Sequence, residues 1–544
     1  MFQSVLDVKP VEPEVRRGDL EFGTIPRLLR SAAERHGDRV AVSDVDDALS
    51  FAQLEAEARR MTRALIASGV ARGDRVAIWA PNTWRWIVAA LATHSAGAAL
   101  VPINTRFKGE EAAYVLSRSG ATVLFTTTAF LGTDYVALLE GTGIALPHLS
   151  RVVVTSGPAR SPAVAWDAFV DSGDAAVSAA DADARALSVT PDDLSDVMFT
   201  SGTTGKPKGV TCTHAQTLRA FRAWGDIVGL RAEDRYLVAL PFFHSFGYKA
   251  GWLACLMAGA TSHPHAVFDA QAVLDRVERD AITVLPGPPS LYQTMLLRPD
   301  LRARRLASLR LAVTGAAVIP VELVGRMRDD IGFATVLTGY GLTEASGVAT
   351  LCRDGDDPET IATTSGRAIP DVDVRVVDDD GNEVPRGSPG EIVVSGYTVT
   401  KGYFDDARAT AELLDASGRL RTGDVGVMDA RGYLRITDRK KDMFIVGGFN
   451  AYPAEIEAVL SKHEAVAHVA VVGAPDPRLG EVGVAFVVPR AGAHVIEEEL
   501  VAWSRQRMAN YKVPRRFVTL DALPTNATGK VLKFALRERA RALG

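Results

Sequence analysis

Apolar runs of strand length alternate with amphipathic helical runs over most of the chain. DRVAIWA (74–80) precedes a helical stretch, AALVPIN (98–104) precedes the helical EEAAYVLSRSG, and ATVLFTT (121–127) follows it. This βαβ rhythm predicts parallel sheets covered by helices. A second block of the same kind runs through RYLVALP (235–241), a Gly/Ala-rich helix near 249–259, AITVLPGPP (281–289) and LRLAVTGAA (309–317). After about residue 365 the pattern changes to DVDVRVVD, GEIVVSG and YLRIT, short alternating strands joined by DDDGN and SPG turns, which predict a small antiparallel unit. The last hundred residues read as a compact α+β unit. The fold expected is therefore α/β: two βαβ-type layered subdomains, a small antiparallel β subdomain, and a C-terminal α+β domain as a cap. DADARALSVTPDDL (181–194) reads as an Ala/Asp-rich loop, and no internal repeat is evident.

Charge and composition narrow the function classes. The 544 residues carry 61 Lys+Arg against 66 Asp+Glu, a net charge of −5, which disfavours a nucleic-acid or anionic-membrane binder held by global charge. Apolar residues make up 47% and charged residues 23%, which suits a large globular core rather than disorder. Only 12 of the 61 cations are Lys, so a Lys inside a motif is informative. Cys212, Cys255 and Cys352 form no CxxC pair; neither a disulfide framework nor a zinc site is implied, and a reducing cytoplasm fits. The N-terminus lacks an apolar signal-peptide core, and the C-terminal RALG carries no targeting signal. Trp86 to Ile103 is the longest uncharged apolar stretch, but Thr93, His94, Ser95, Gly97 and Pro102 interrupt it; a helix ending near Gly97 followed by a strand is the better reading than a membrane span.

TSGTTGKPKG (200–209) gathers four hydroxyl side chains, three glycines and two lysines in ten residues. Glycines allow close backbone approach to an anion, N–H groups and hydroxyls donate to phosphate oxygens, and Lys supplies charge. A Walker A loop would need Gly where Thr200 stands and Ser or Thr where Pro207 stands. The preceding SDVMF is a strand candidate, so this phosphate loop lies between a strand and GVTCTH.

At this depth in a chain of this length, the loop resembles the signature of the adenylate-forming superfamily of acyl-CoA synthetases, aryl-CoA ligases, luciferases and peptide-synthetase adenylation domains. Further segments resemble the family's motifs in order: TGYGLTE (338–344), RTGD (421–424), DRKKD (438–442), GGFN (447–450) and PTNATGK (524–530). The resemblance implies ATP, Mg²⁺ and coenzyme A as cofactors. Thr200, Ser201, Gly202, Thr203, Thr204, Gly205 and Lys206 would cradle phosphate. Gly315, Ala316, Ala317, Gly339, Tyr340, Gly341 and Thr343 would line the adenylate, with Tyr340 stacked on adenine. Glu344, with Thr200 nearby, would hold Mg²⁺. Asp424 and Arg439 would contact the ribose, Lys441 is a further cofactor-binding candidate, and Gly447, Gly448 and Phe449 would line the pantetheine channel. Lys530 would bridge the substrate carboxylate and the α-phosphate; many relatives carry Arg three residues later, where this chain has Lys533. The resemblance also implies a body over 1–437 and a mobile C-terminal domain over 438–544, pivoting at Asp438.

The chemistry matches these groups. A carboxylate becomes an acyl donor once its oxygen is phosphorylated by adenylate transfer. That transition state calls for positioned cations and N–H donors rather than covalent work by the protein. PFFHSFG (241–247) corresponds to the aromatic motif flanking the acyl pocket, which makes His244 the candidate for orienting the carboxylate or gating the thiol. No acid occurs between Asp234 and Asp269, which disfavours an amino-acid substrate. The expected pocket positions are small: Gly251, Gly315, Ala316, Ala317, Gly339, Ser346 and Gly347. FFHSFGYKAGWLACL, ITVLPGPPSLYQ, AVTGAAVIPVELV and DPRLGEVGVAFVV are most similar to an actinobacterial ligase type that activates the propanoate arm on partly degraded, ring-fused steroids. A terpenoid, medium-chain or aryl acid stays open, as do a half-reaction enzyme fed with adenylate by a partner, a nucleotide-binding scaffold, and a homodimer.

Overall fold

The computed structural model describes residues 15–45, 47–201, 206–315, 319, 321–439, 443–451, 453–493, 496–524, 531 and 533–543. Within the first block, six parallel strands and one antiparallel edge strand form a seven-stranded sheet. Across the sheet, Val164–Ala165, Arg151–Ser156, Val123–Thr127, Arg75–Trp79, Ala99–Pro102 and Leu194–Ser201 follow one another, and Pro207–Thr213 closes the edge. The stretch 86–103 resolves into the helix Trp84–Ser95, a positive-φ turn at Gly97 and the strand Ala99–Pro102, all packed in the core. Among the described residues no helix is long and apolar enough to cross a membrane.

The second block contains a sheet of Arg235–Val238, Thr261–Pro264, Val40–Ser43 and Ala48–Ser50, and another of Leu311–Gly315, Thr335–Tyr340, Thr350–Leu351 and Arg367–Ala368. Val284 makes parallel bridges to Tyr236 and Leu311 and so joins the two. The strand expected over 281–289 is reduced to this link, because Pro286, Pro288 and Pro289 lack the N–H that a ladder needs. The loop expected at 181–194 is corrected: Ala179–Leu187 is a helix. Ser178 caps it by accepting from the Asp181 N–H at 3.1 Å, and alanines favour the helical state where their small side chains also pack closely; Ala182 is buried.

From 372 onward four antiparallel strands, Val372–Val377, Pro389–Gly396, Leu420–Met428 and Leu434–Arg439, form the small sheet the alternation predicts. The C-terminal sheet starts at Phe444–Val446 and continues through Phe449–Ala451, Val466–Asp476, Gly480–Pro489 and Arg516–Thr519. Its two faces pack differently, because side chains alternate along a strand. Val471, Ala485 and Val487 share a core with Trp79, Phe107 and Val115 of the body. Ala470, Val472, Val484 and Phe486 pack against Leu536 and Ala540 of the final helix Lys533–Ala542.

Candidate active site

One cavity of about 1410 Å³ opens where the parallel strands end and reaches the C-terminal unit. Loops at the carboxyl ends of parallel strands are where open α/β sheets place ligands. Thr200 near the end of Leu194–Ser201, Gly315 at the end of Leu311–Gly315, and Gly339 and Tyr340 at the end of Thr335–Tyr340 all reach this wall. Gly315 and Gly339 stand side by side in the parallel register.

A polar cluster occupies one end. Glu344 sits in the short turn Thr343–Ala345 just past the strand. Its Oε1 accepts the Tyr403 hydroxyl at 2.9 Å and the Thr200 hydroxyl at 3.4 Å, and its backbone carbonyl accepts from the Thr400 N–H at 2.8 Å. Lys208 faces Thr200 across the strand pair and lies 5.1 Å from the Tyr403 ring. One carboxylate and two hydroxyls suit Mg²⁺, a hard cation that takes few protein oxygens and completes its shell with water and phosphate. Nearby the Tyr340 hydroxyl donates to Asp424 Oδ2 at 2.7 Å, with both residues 8% exposed. Asp424 is opposite Arg439 in the antiparallel register, which puts the two positions on one face of the sheet.

The other end is apolar. Phe221, Trp224, Phe243, Phe246, Val267 and Leu291 line it, and Trp224 meets Phe246 edge-on at 6.3 Å. Of the described lining residues only Glu344, Glu412 and Asp424 are acidic. His244 caps a one-turn helix and its Nδ1 accepts from the Phe246 N–H at 3.3 Å, so the neutral ring carries its proton on Nε2. Its exposed face opens on the cavity, while enclosure by protein holds its pKa below the usual histidine range. Behind this wall, Lys249 Nζ lies 2.9 Å from Asp196 Oδ1 with both side chains 1% exposed. The Ser195 hydroxyl donates to Asp196 Oδ2 at 2.7 Å. This pair ties the phosphate-loop strand to the irregular helix Tyr248–Leu253, whose Ala250 lines the cavity.

Thr200, His244, Gly315, Gly339, Tyr340, Gly341, Thr343, Glu344, Asp424, Gly447, Gly448 and Phe449 all line this one cavity. Lys206 does not: it is exposed, 5.9 Å from the Tyr114 ring, and Lys208 holds the wall position instead. Gly251 and Ser346 are buried behind the wall; Ser346 Oγ donates to the Thr398 carbonyl at 2.7 Å. Ser201 and Arg439 are placed by their backbone alone, and Gly202, Thr203, Thr204, Gly205, Ala316, Ala317, Lys441 and Lys530 lie outside the described residues. Lys533 pairs with Glu457 at 2.8 Å within the C-terminal unit. Tyr403, Lys249 and Asp196 escaped the sequence reading, since a lone Tyr after a Gly and a buried ion pair leave no periodic signal.

Residues 29–404 match the family model of the AMP-binding enzymes, and 455–530 match that of the AMP-binding enzyme C-terminal domain. The chain is 49% identical over 521 residues to the 3-[(3aS,4S,7aS)-7a-methyl-1,5-dioxo-octahydro-1H-inden-4-yl]propanoyl:CoA ligase of Rhodococcus jostii (strain RHA1), covering 95% of this chain and 99% of that one. Among solved structures it is similar to the amide bond synthetase McbA from Marinactinospora thermotolerans, with a TM-score of 0.82, 29% identity, and 94% and 99% of the two chains covered. It is also similar to o-succinylbenzoate CoA synthetase from Bacillus subtilis bound with its product analogue, with a TM-score of 0.78, 29% identity, and 94% and 98% covered. With its motifs converging on one cavity, the chain belongs to the AMP-binding enzyme family and is an adenylate-forming acyl-CoA ligase that uses ATP, Mg²⁺ and coenzyme A.

Proposed function

We propose that the acid this ligase activates is a bulky, ring-fused propanoate. The observation that carries the reading is the acyl end of the cavity, aromatic-walled and floored by Gly315, Gly339 and Gly347; the 49% identity to a ligase named for such a substrate supports it. Burying flat apolar rings against aromatic side chains provides most of the binding free energy at such a wall. With no acidic residue at this end among the described residues, an amino-acid substrate would find no partner there for its ammonium. The unpaired cysteines Cys212, Cys255 and Cys352, all buried, support a cytoplasmic location.

In this reading His244 Nε2–H donates to the substrate carboxylate and orients one oxygen toward the α-phosphate. Thr200 and Lys208 hold phosphate oxygens. Asp424, oriented by Tyr340, accepts from the ribose hydroxyls, with Arg439 as the second ribose contact. Glu344, Thr200 and Tyr403 would hold Mg²⁺, which when bound neutralises the departing pyrophosphate. Lys530, assigned on its motif, would bridge carboxylate and α-phosphate during adenylation. The boundary between the last two sheets falls between Arg439 and Phe444, which supports Asp438 as the pivot between a body (1–437) and a mobile domain (438–544). Gly447–Phe449 line the cavity and no described residue from 516 to 543 does. We read this arrangement as the one for thioester formation.

The test measures the two half-reactions apart. Lys530→Ala is expected to cut ATP–pyrophosphate exchange by about 10³-fold or more, as loss of a charge-stabilising group does, while sparing thioester formation from supplied adenylate. Gly448→Trp should do the reverse. Gly448 has φ +85° and its Cβ position faces Pro288 at 3.6 Å, so a ring there would obstruct the channel. Intact exchange in Lys530→Ala, or unchanged CoA turnover in Gly448→Trp, would defeat the respective assignment.

A further inference from the structure

The structure assigns to Glu111 and Lys512 a positioning role in thioester formation: the pair clamps the C-terminal unit while Gly447–Phe449 line the cavity. This rests on the reading of the present arrangement given above. Lys512 is a buried lysine, its side chain 1% exposed, and it lies between two carboxylates. Glu455 Oε1, 2.5 Å away, is on the helix Pro453–Leu460 of the same unit. Glu111 Oε1, 2.8 Å away, is on the helix Gly109–Ser119 of the body. Any rotation of the C-terminal unit would carry Lys512 and Glu455 together and leave Glu111 behind.

Two features make Glu111 a fixed anchor rather than a passing surface charge. Its other oxygen, Oε2, accepts the Lys108 N–H at 2.9 Å and so holds the start of its own helix. The side chain is only 13% exposed, so water screens the pair little. The contact also continues to the cavity. Lys512 Nζ lies 4.4 Å from the Phe107 ring of the body. Its neighbour Tyr511 lines the cavity and stacks on Phe449 with ring centres 4.9 Å apart. Arg106 of the body covers Phe449 at 4.2 Å, and Asn104 Nδ2 donates to the Tyr511 hydroxyl at 3.4 Å. The ion pair therefore fixes Tyr511, Tyr511 fixes Phe449, and Phe449 adjoins Gly448, whose Cβ position faces Pro288. Apolar packing alone tolerates sliding, whereas a buried charge-assisted hydrogen bond accepts one register.

Glu111→Gln keeps an oxygen for the helix start but turns an amide toward Lys512. The full-length enzyme is assayed for ATP–pyrophosphate exchange without CoA and for thioester formation from supplied adenylate. Expected is a fall of about tenfold in thioester formation, the scale for losing one charged hydrogen bond, with exchange held within about twofold. Glu111→Arg should fall further, to about a hundredfold, because two cations then meet. Glu110→Gln, on the exposed neighbouring position, should change neither rate. Equal loss in both half-reactions for Glu111→Gln would reduce Glu111 to a helix cap, and unchanged thioester formation would remove the clamp; either overturns the proposal. Those failures are distinct from failure of the underlying reading, which would show in Lys530→Ala and Gly448→Trp whatever Glu111→Gln does.

Discussion

The two ends of the cavity are built by opposite means. At the nucleotide end, hydroxyls and carboxylates are locked to one another: Tyr403 and Thr200 on Glu344, and Tyr340 on Asp424. At the acyl end, rings and glycines leave a shaped space lined also by His244, the group proposed to orient the reacting carboxylate. The first end selects by hydrogen-bond geometry, which tolerates little variation, and the second by volume, which tolerates much. One reaction can thus be kept while the acid changes.

That contrast can be broken at either end. Of the variants that separate the two ends, Asp424→Ala is expected to have the largest effect, since it removes the proposed ribose acceptor and leaves the Tyr340 hydroxyl without this partner. KM for ATP should rise by about 10²-fold, the scale for deleting a buried charged acceptor, with KM for the acid unchanged; steady-state kinetics in each substrate separates the two. Phe246→Ala should invert the pattern. This ring is half-buried, so the fold should survive, and KM for a ring-fused acid should rise about tenfold through lost apolar contact, with ATP kinetics unaffected. If both variants shifted both constants equally, the two ends would not be separable.

The smallest effect concerns pH. Burial lowers the pKa of His244, so the neutral donor persists as pH falls through the ordinary histidine range near about 6.5. Acid activation should therefore hold its rate from pH 8 down through that range and decline only below it. A decline centred on the ordinary histidine value, lost in His244→Ala, would mean that the ring titrates as if in water.

The uneven legibility of the sequence follows the same division. Groups expected to contact the nucleotide or its Mg²⁺ came in short contiguous runs, so Thr200, Tyr340, Glu344 and Asp424 could be named from their motifs, and all four line the cavity. The parallel and antiparallel sheets were legible from apolar periodicity, because burial on two faces and on one face leave different patterns. Contacts between distant segments were not legible. Tyr403 reaches Glu344 only after the chain folds back, and Lys249 meets Asp196 from an element 53 positions away. The scarcity of lysine pointed to the phosphate and hinge motifs, yet among the described residues Lys249 and Lys512 are the buried lysines, 0% and 1% exposed, and they join elements of the fold. The helix Ala179–Leu187 was missed because its aspartates read as turn residues, whereas the alanines favour a helix and Ser178 supplies its cap.

The central claim is that both half-reactions occur in this chain on a ring-fused acid. Its most direct test is to measure ATP–pyrophosphate exchange and CoA-thioester formation side by side with a ring-fused propanoate, an aryl acid and a medium-chain fatty acid. The account predicts both activities, with kcat/KM highest for the ring-fused acid. Exchange without thioester, or an equal or higher kcat/KM for the fatty or aryl acid, would contradict it.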